Sequence, residues 1–200
     1  MKIGISGKKH EIKTASELTV KEYVYFFSGI TETSKESDIF IRYISAVTGL
    51  DLLNVCKIDI DDHSIRRMLA YVGEIKNPMQ LNTIDYFYIK NTGRKLYQKN
   101  VNWRSLGTRK MLEDKHLETG LELAVYLLAI YIDGTYDNEN IEQIYSDLQN
   151  YNAISVFGFV WFFFQKLQNG KKQETNFLKM LRTKAAINTA KLLSKLQAKD

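Results

Sequence analysis

An apolar run extends from residue 153 to residue 164, where aromatic and branched side chains follow one another with few polar interruptions. Two sets of these side chains recur at the i, i+3, i+4, i+7 spacing of a helix. One set is Ile154, Phe157, Gly158, Trp161 and Phe162, and the other is Val156, Phe159, Val160, Phe163 and Leu167. A helix that is apolar on all sides must be buried on all sides, so the run predicts the centre of a core.

Two other interpretations of this run stay open at the level of sequence. A membrane span needs about 20 apolar residues, whereas this run has twelve and is followed by Gln165 and Lys166. A central strand is an alternative because Val, Phe and Trp favour sheets. Gly158 has no side chain, so in a helix or a strand it marks a place where another backbone comes close.

The first 76 residues predict a hairpin followed by a lobe of short helices. Alternating Ile3 and Ile5 indicate strands at 2–6 and 10–13 around a turn. Four amphipathic helices should then begin at capping residues: Thr19 with Glu22 in a capping box, Ser37 or Asp38, Asp51, and Asp61 or Asp62. Gly29, Gly49 and Gly73 are typical of helix ends. The fourth helix is expected to bury Ile65, Met68, Leu69 and Val72.

The pair Asn77-Pro78 predicts a break after this lobe. Alternating aromatic residues at 86–90 and 94–98, around a turn containing Gly93, predict a second hairpin. Helical spacing indicates further helices from Leu117 to Ile132, and from Asp137 or Asn138 onward. After the apolar run, Gly170 should precede a long last helix from about residue 173 to residue 199.

These elements predict an α+β, mainly α fold. It has an N-terminal hairpin at 1–14, a helical lobe at 15–76, a hairpin plus helical core at 77–170, and a basic C-terminal helix at 171–200. The chain has 200 residues and one proline, and 44% of its residues are hydrophobic. That size and composition suit one compact domain with a C-terminal arm.

The net charge of +5 is distributed unevenly along the chain. Residues 166–200 contain nine Lys or Arg and two acids, which gives +7 and leaves +5 − 7 = −2 for the rest. The basic residues proposed to contact an acidic partner or nucleic acid are Lys171, Lys172, Lys184, Lys191, Lys195 and Lys199. Aligned lysines bind phosphates without sequence preference, but a solvated flank beside a packed face would show the same pattern.

The search for reactive groups finds structural explanations for most candidates. His10, His63 and His116 each stand alone, without a second His or Cys at metal-ligand spacing. The acids around residues 59–62 and at 133 do not complete a calcium-loop pattern and are expected to cap helices. Cys56 is the single cysteine, and a small apolar core position is expected for it. We therefore expect no enzyme, and no catalytic, cofactor-binding or metal site.

One set of segments resembles a known group of proteins. The segments are Glu17–Tyr23, Ile41–Leu50, Tyr136-Asp137 and Val156–Phe159 before a Phe-rich end. In this order, over residues 15–75 and 117–168, the chain resembles small tailed-phage proteins of the tail assembly chaperone group. The resemblance implies a bacteriophage structural or assembly protein that acts through protein–protein contacts with other virion or tail proteins, in the host cytoplasm or the virion.

Two further kinds of partner are compatible with the sequence. One is a homo-oligomer, since the apolar stripe of the last helix could equally be a helix–helix interface between subunits. The other belongs to the alternative function, a nucleic-acid-associated protein whose basic helix makes non-specific DNA contacts. No membrane contact is expected. The segment 1–8 lacks the apolar stretch of a signal peptide, and a lone cysteine is typical of a reducing compartment.

Overall fold

The structure of the protein is a computed structural model, and it describes residues 2–5, 8–31, 33–58, 60, 62–76, 81–82, 84–90, 93–97, 108, 111–112, 115, 117 and 119–169. The strands are β1 (Lys2–Ile5), β2 (Lys8–Glu11), β3 (Tyr86–Ile89) and β4 (Arg94–Tyr97). The helices are α1 (Val20–Ser28), α2 (Glu36–Thr48), α3 (Leu52–Val55), α4 (Asp62–Gly73), α5 (Gly120–Asp133), α6 (Asn138–Leu148) and α7 (Ala153–Asn169). The predicted α+β, mainly α class is confirmed. The predicted break at 77–78 and the basic helix at 171–200 lie outside the described residues.

Helix α7 lies at the centre of the core, as the apolar run predicts. Residues 156–160 of this helix are buried. The ring of Tyr23 on α1 stacks on Phe157 at 4.9 Å between centroids, and the ring of Phe87 on β3 lies 5.8 Å from that of Phe159. The helical interpretation of the run is therefore confirmed over the strand alternative.

The predicted close approach at Gly158 is also confirmed. The backbone N–H of Ile84 donates a hydrogen bond to the carbonyl oxygen of Gly158, with 3.2 Å between nitrogen and oxygen. A Cβ atom at position 158 would lie 2.8 Å from the carbonyl oxygen of Asn82. The segment that leads into β3 thus lies directly against the backbone of α7.

Helix α5 is more enclosed than the sequence analysis expects. Every residue from Leu123 to Ile130 is buried, not only one stripe. The helix begins at Gly120 and not at Leu117, because Thr119 caps it: the Thr119 hydroxyl accepts from the N–H of Glu122, and the Glu122 carboxylate accepts from the N–H of Thr119. This reciprocal arrangement satisfies two N–H groups that the first turn leaves open.

The N-terminal ends of α1 and α7 are joined through the segment between α6 and α7. The N–H groups of Val20 and Lys21 donate to the carbonyl oxygens of Tyr151 and Gln149, at 2.9 and 3.1 Å. The N–H of Ala153 donates in turn to the carbonyl oxygen of Leu18 at 2.9 Å. First-turn N–H groups have no partner within their own helix, so this exchange fixes the helical lobe to the core.

Three predictions in the helical lobe are wrong. Helix α2 is capped by Lys35 and not by Ser37 or Asp38, since the Asp38 carboxylate accepts from the N–H of Lys35. Leu69 is exposed, because α4 buries the stripe that contains Met68 and Val72. Cys56 is exposed as well. It follows α3, a single turn in which only Val55 is buried.

The N-terminal hairpin is confirmed with shifted bounds. Strands β1 and β2 are antiparallel, and Ile3 lies opposite His10. The second strand begins at Lys8, two residues earlier than predicted. Ile12, which follows β2, is buried in the main core and anchors the hairpin there.

Candidate interaction surface

The six predicted contact lysines lie outside the described residues, so the structure does not locate the candidate site that the sequence analysis favours. These residues are Lys171, Lys172, Lys184, Lys191, Lys195 and Lys199. Within the described part of the chain, a different surface has the composition of a contact site. It lies on the hairpin formed by β3 and β4.

The local sequence explains why this hairpin forms and how it is oriented. Gly93 has a φ of +65°, a left-handed backbone conformation that glycine adopts readily. Strand β3 alternates between the two sides of the sheet: Phe87 and Ile89 are buried, while Tyr86 and Tyr88 are exposed. On β4, Leu96 lies opposite Phe87 and is buried with it. The hairpin therefore has one apolar side against the core and one aromatic side facing outward.

We call the outward side, formed by Tyr86, Tyr88, Lys95 and Tyr97, the tyrosine face. The exposed fractions of the three tyrosines are 42%, 50% and 41% in chain order. Register places Tyr86 opposite Tyr97 and Tyr88 opposite Lys95. The rings of Tyr86 and Tyr97 are 6.0 Å apart, and the Lys95 ammonium lies 4.6 Å from the centroid of the Tyr86 ring.

The tyrosine face rests on a firmly packed base. Phe87 contacts the ring of Tyr151 at 5.6 Å between centroids, in addition to Phe159. The N–H of Lys90 donates to the Tyr151 hydroxyl at 3.1 Å, and the Lys90 ammonium lies 5.0 Å from the centroid of the same ring. A surface held in this way loses little conformational freedom when a partner binds.

A polar cluster between α5 and α6 has a structural role, because its side chains bond to one another. The Lys115 ammonium donates to both carboxylate oxygens of Glu142 at 2.7 Å, and the Tyr126 hydroxyl donates to one of them at 3.1 Å. Burial, followed by the hydrogen bond to Glu142, raises the pKa of Tyr126 to about 12. Burial likewise raises the pKa of Tyr145 to about 12. These groups fasten the segment before α5 to the helix pair.

The turn between α5 and α6 contains a second polar cluster. Asp133 accepts hydrogen bonds from the side chain of Asn140 and from the N–H and hydroxyl of Thr135. Burial opposes ionisation of Asp133, but these hydrogen bonds together lower its pKa below the ordinary value. Asp137 caps α6, as predicted.

The described part of the chain contains neither a metal-binding cluster nor a membrane-spanning helix. None of the groups of His, Cys, Asp and Glu in that part of the chain is arranged to hold a metal ion. Among the helices of these residues, none is both long and apolar enough to cross a bilayer.

The sequence analysis predicts this hairpin but misses its outward side as a candidate surface. The signal is present in the order Tyr-Phe-Tyr-Ile at 86–89, because alternate residues of a strand point to opposite sides. Comparison of the chain with protein-family models, with curated proteins and with solved structures found no match. The phage family relationship therefore stays a prediction.

Proposed function

We propose that this protein is a non-enzymatic structural or assembly protein of a bacteriophage, a tail assembly chaperone or virion component, and that it acts through protein–protein contacts. The observation that supports this proposal is the tyrosine face, where three tyrosines are each more than two-fifths exposed on a packed hairpin. Tyrosine is enriched at protein interfaces and, with Trp and Arg, among the residues that contribute most to binding.

The chemistry of the face suits a protein partner. A tyrosine ring offers a large apolar area, and its hydroxyl keeps a hydrogen-bonding group at the edge. Tyrosine has only two side-chain torsions, so ordering it at an interface costs less entropy than ordering a long side chain. Lys95, held over the ring of Tyr86, adds a positive charge that favours partners with acidic surfaces.

The phage context rests on the resemblance carried by residues 15–75 and 117–168. Chaperones and virion components both work by covering surfaces of other proteins, which agrees with a contact surface outside the core. The location that follows from this proposal is the host cytoplasm during assembly, or the particle itself.

Capture from cells infected with the parent phage tests the proposal. We expect the tagged protein to co-purify with phage tail or head proteins identified by mass spectrometry, and the double variant Tyr88→Ser, Tyr97→Ser to lose them. Leu53→Ser, which alters a strongly exposed residue on α3, is the matched control and should retain them. A wild-type protein that captures no phage protein would contradict the proposal, as would capture unchanged by the double variant.

The second candidate function, nucleic-acid association, is favoured by the charge of +7 carried by residues 166–200. Lysines that neutralise phosphates give an affinity that falls steeply with salt. Reversing Lys184, Lys191, Lys195 and Lys199 to Glu should then abolish DNA binding at low salt. Binding that survives these four changes, or that is absent from the wild-type protein, would refute this candidate.

A further inference from the structure

The outer side of helix α6 has the opposite chemistry to the tyrosine face. The helix buries Ile141 and Leu148 and exposes its other side. Glu139, Gln143 and Ser146 are exposed at i, i+4 and i+7, so they form one stripe along the helix. Helix α6 itself contains three acids, Glu139, Glu142 and Asp147, and no Lys or Arg, and Glu142 is paired with Lys115. We call the stripe of Glu139, Gln143 and Ser146 the outer face of α6.

The charge of the hairpin is complementary to that of α6. From residue 85 to residue 97 the chain carries Lys90, Arg94 and Lys95 against Asp85, which gives +3 − 1 = +2. The phenol hydroxyls and the Lys95 ammonium supply hydrogen-bond donors. The outer face of α6 supplies acceptors, namely the carboxylate of Glu139, the amide oxygen of Gln143 and the hydroxyl of Ser146.

We propose that the tyrosine face of one copy of this chain docks on the outer face of α6 of a second copy. This inference rests on the proposed function, because it names one partner for the same contact surface. Both surfaces belong to the described structure, and their opposite charges favour this pairing over contact between two tyrosine faces, which would place like charges together.

The dimensions of the two surfaces agree. A strand of four residues is about 13 Å long at 3.3 Å per residue, and a helix of eleven residues is about 16 Å long at 1.5 Å per residue. The two-stranded hairpin can therefore lie along most of α6. Tyr88 and Lys95, which are directly opposite each other on the hairpin, would lie along the outer face of α6, with Lys95 close to Glu139.

The same copy cannot make this contact in the structure described. The inward side of the hairpin packs through Phe87 on α7 of its own chain. The tyrosine face lies on the other side of the sheet, so its rings point away from that core. Since the contact joins two different surfaces, copies would associate head to tail, and each would leave one surface open for another copy.

Charge reversal on each surface tests the pairing. The face variant is Lys95→Glu, and the helix variant is Glu139→Lys. In sedimentation velocity at about 0.1 M salt, the wild-type protein should self-associate, and each variant should show an association constant lower by at least about tenfold. A 1:1 mixture of the two variants should regain association, because reversed charges then face each other across one of the contacts.

Two controls make the result specific. Lys57→Glu and Glu74→Lys make the same charge changes at exposed positions away from both surfaces, and they should associate like the wild type. Circular dichroism of every variant should match the wild type; if a reversal variant unfolds, Tyr88→Ser and Gln143→Ala replace it as milder changes. A wild-type protein that stays monomeric overturns the inference, as does association unaffected by the two reversals.

The same experiment distinguishes a second copy of this chain from other partners of the tyrosine face. A fluorescent oligo-thymidylate that binds the wild type but not the face variant, with the wild type remaining monomeric, would assign the surface to nucleic acid and overturn the inference. If the wild-type protein captures phage proteins but does not self-associate, the proposed function is supported. The inference that the partner is a second copy of this chain is then overturned.

Discussion

The two sides of strand β3 place similar side chains in opposite environments. Phe87 and Ile89 point inward and are buried, whereas Tyr86 and Tyr88 point outward and are exposed. Elsewhere, a tyrosine that is buried finds an acceptor: the Tyr23 hydroxyl donates to the carbonyl oxygen of Lys76, and the Tyr43 hydroxyl to that of Lys13. A buried hydroxyl with a carbonyl acceptor therefore separates Tyr23 and Tyr43 from the exposed Tyr86 and Tyr88, and mutations at these two kinds of position should differ accordingly.

The largest effect is expected from a cavity in the core. Phe157→Ala removes a buried ring that stacks on Tyr23 and should lower the free energy of unfolding by about 3–5 kcal/mol. Tyr88→Ala on the tyrosine face should change it by less than about 0.5 kcal/mol. Urea denaturation followed by circular dichroism measures both values. Similar losses in the two variants would show that the hairpin's outer side is part of the stabilising core.

The next effect concerns the close backbone contact beneath the hairpin. Gly158→Ala would place a Cβ 2.8 Å from the carbonyl oxygen of Asn82. Overpacking costs about 1–3 kcal/mol, while alanine gains up to about 1 kcal/mol in helix propensity, so we expect a net loss of about 1–2 kcal/mol. The free energy of unfolding is measured from the midpoint and slope of urea denaturation.

Gly73→Ala is the matched control for that change. Gly73 also lies in a helix, but a Cβ there would have no heavy atom within 4 Å. We expect Gly73→Ala to be neutral or stabilising by up to about 1 kcal/mol. If Gly158→Ala stabilises the protein as well, the segment before β3 is not held tightly against α7, and the base of the tyrosine face is looser than the distances indicate.

Removal of a single hydroxyl sharpens the comparison between buried and exposed tyrosines. Tyr23→Phe leaves the carbonyl of Lys76 without the donor that lies 2.7 Å away and should cost about 1–1.5 kcal/mol. Tyr88→Phe, on the exposed side, should be close to neutral. Thermal denaturation of the two variants against the wild type checks this, and equal shifts in Tm would contradict the distinction drawn from the hydroxyl.

Much of this fold could be predicted because its signals are local. Thr19 with Glu22 caps α1 as expected, and Gly49 and Gly134 end their helices with φ of +71°. The apolar run identified the central helix, and Gly158 within it indicated a close backbone. The backbone that approaches Gly158 is that of Asn82 and Ile84. Its identity depends on tertiary packing and could not be predicted from spacing alone.

The candidate site was harder to predict than the fold. The charge of the C-terminal lysines is visible in a composition count, whereas a contact surface depends on which side of a strand faces the core. Leu69 shows the same limit: its spacing fits the apolar stripe of α4, yet the stripe that packs contains Met68 and Val72, and Leu69 is exposed. Burial is decided by the neighbouring elements.

The last effect concerns a buried tyrosine at alkaline pH. The pKa of Tyr126 is raised to about 12 from an ordinary 10, so between these values the unfolded chain releases the proton while the folded protein retains it. The unfolded state then binds fewer protons, and the free energy of unfolding falls as pH rises from about 10 to about 12. Tyr126→Phe should make that fall shallower, and Tyr145→Phe should do the same because the pKa of Tyr145 is also raised to about 12. Urea midpoints at several alkaline pH values measure the slope, and parallel slopes in the wild type and both variants would contradict the environment assigned to these two rings.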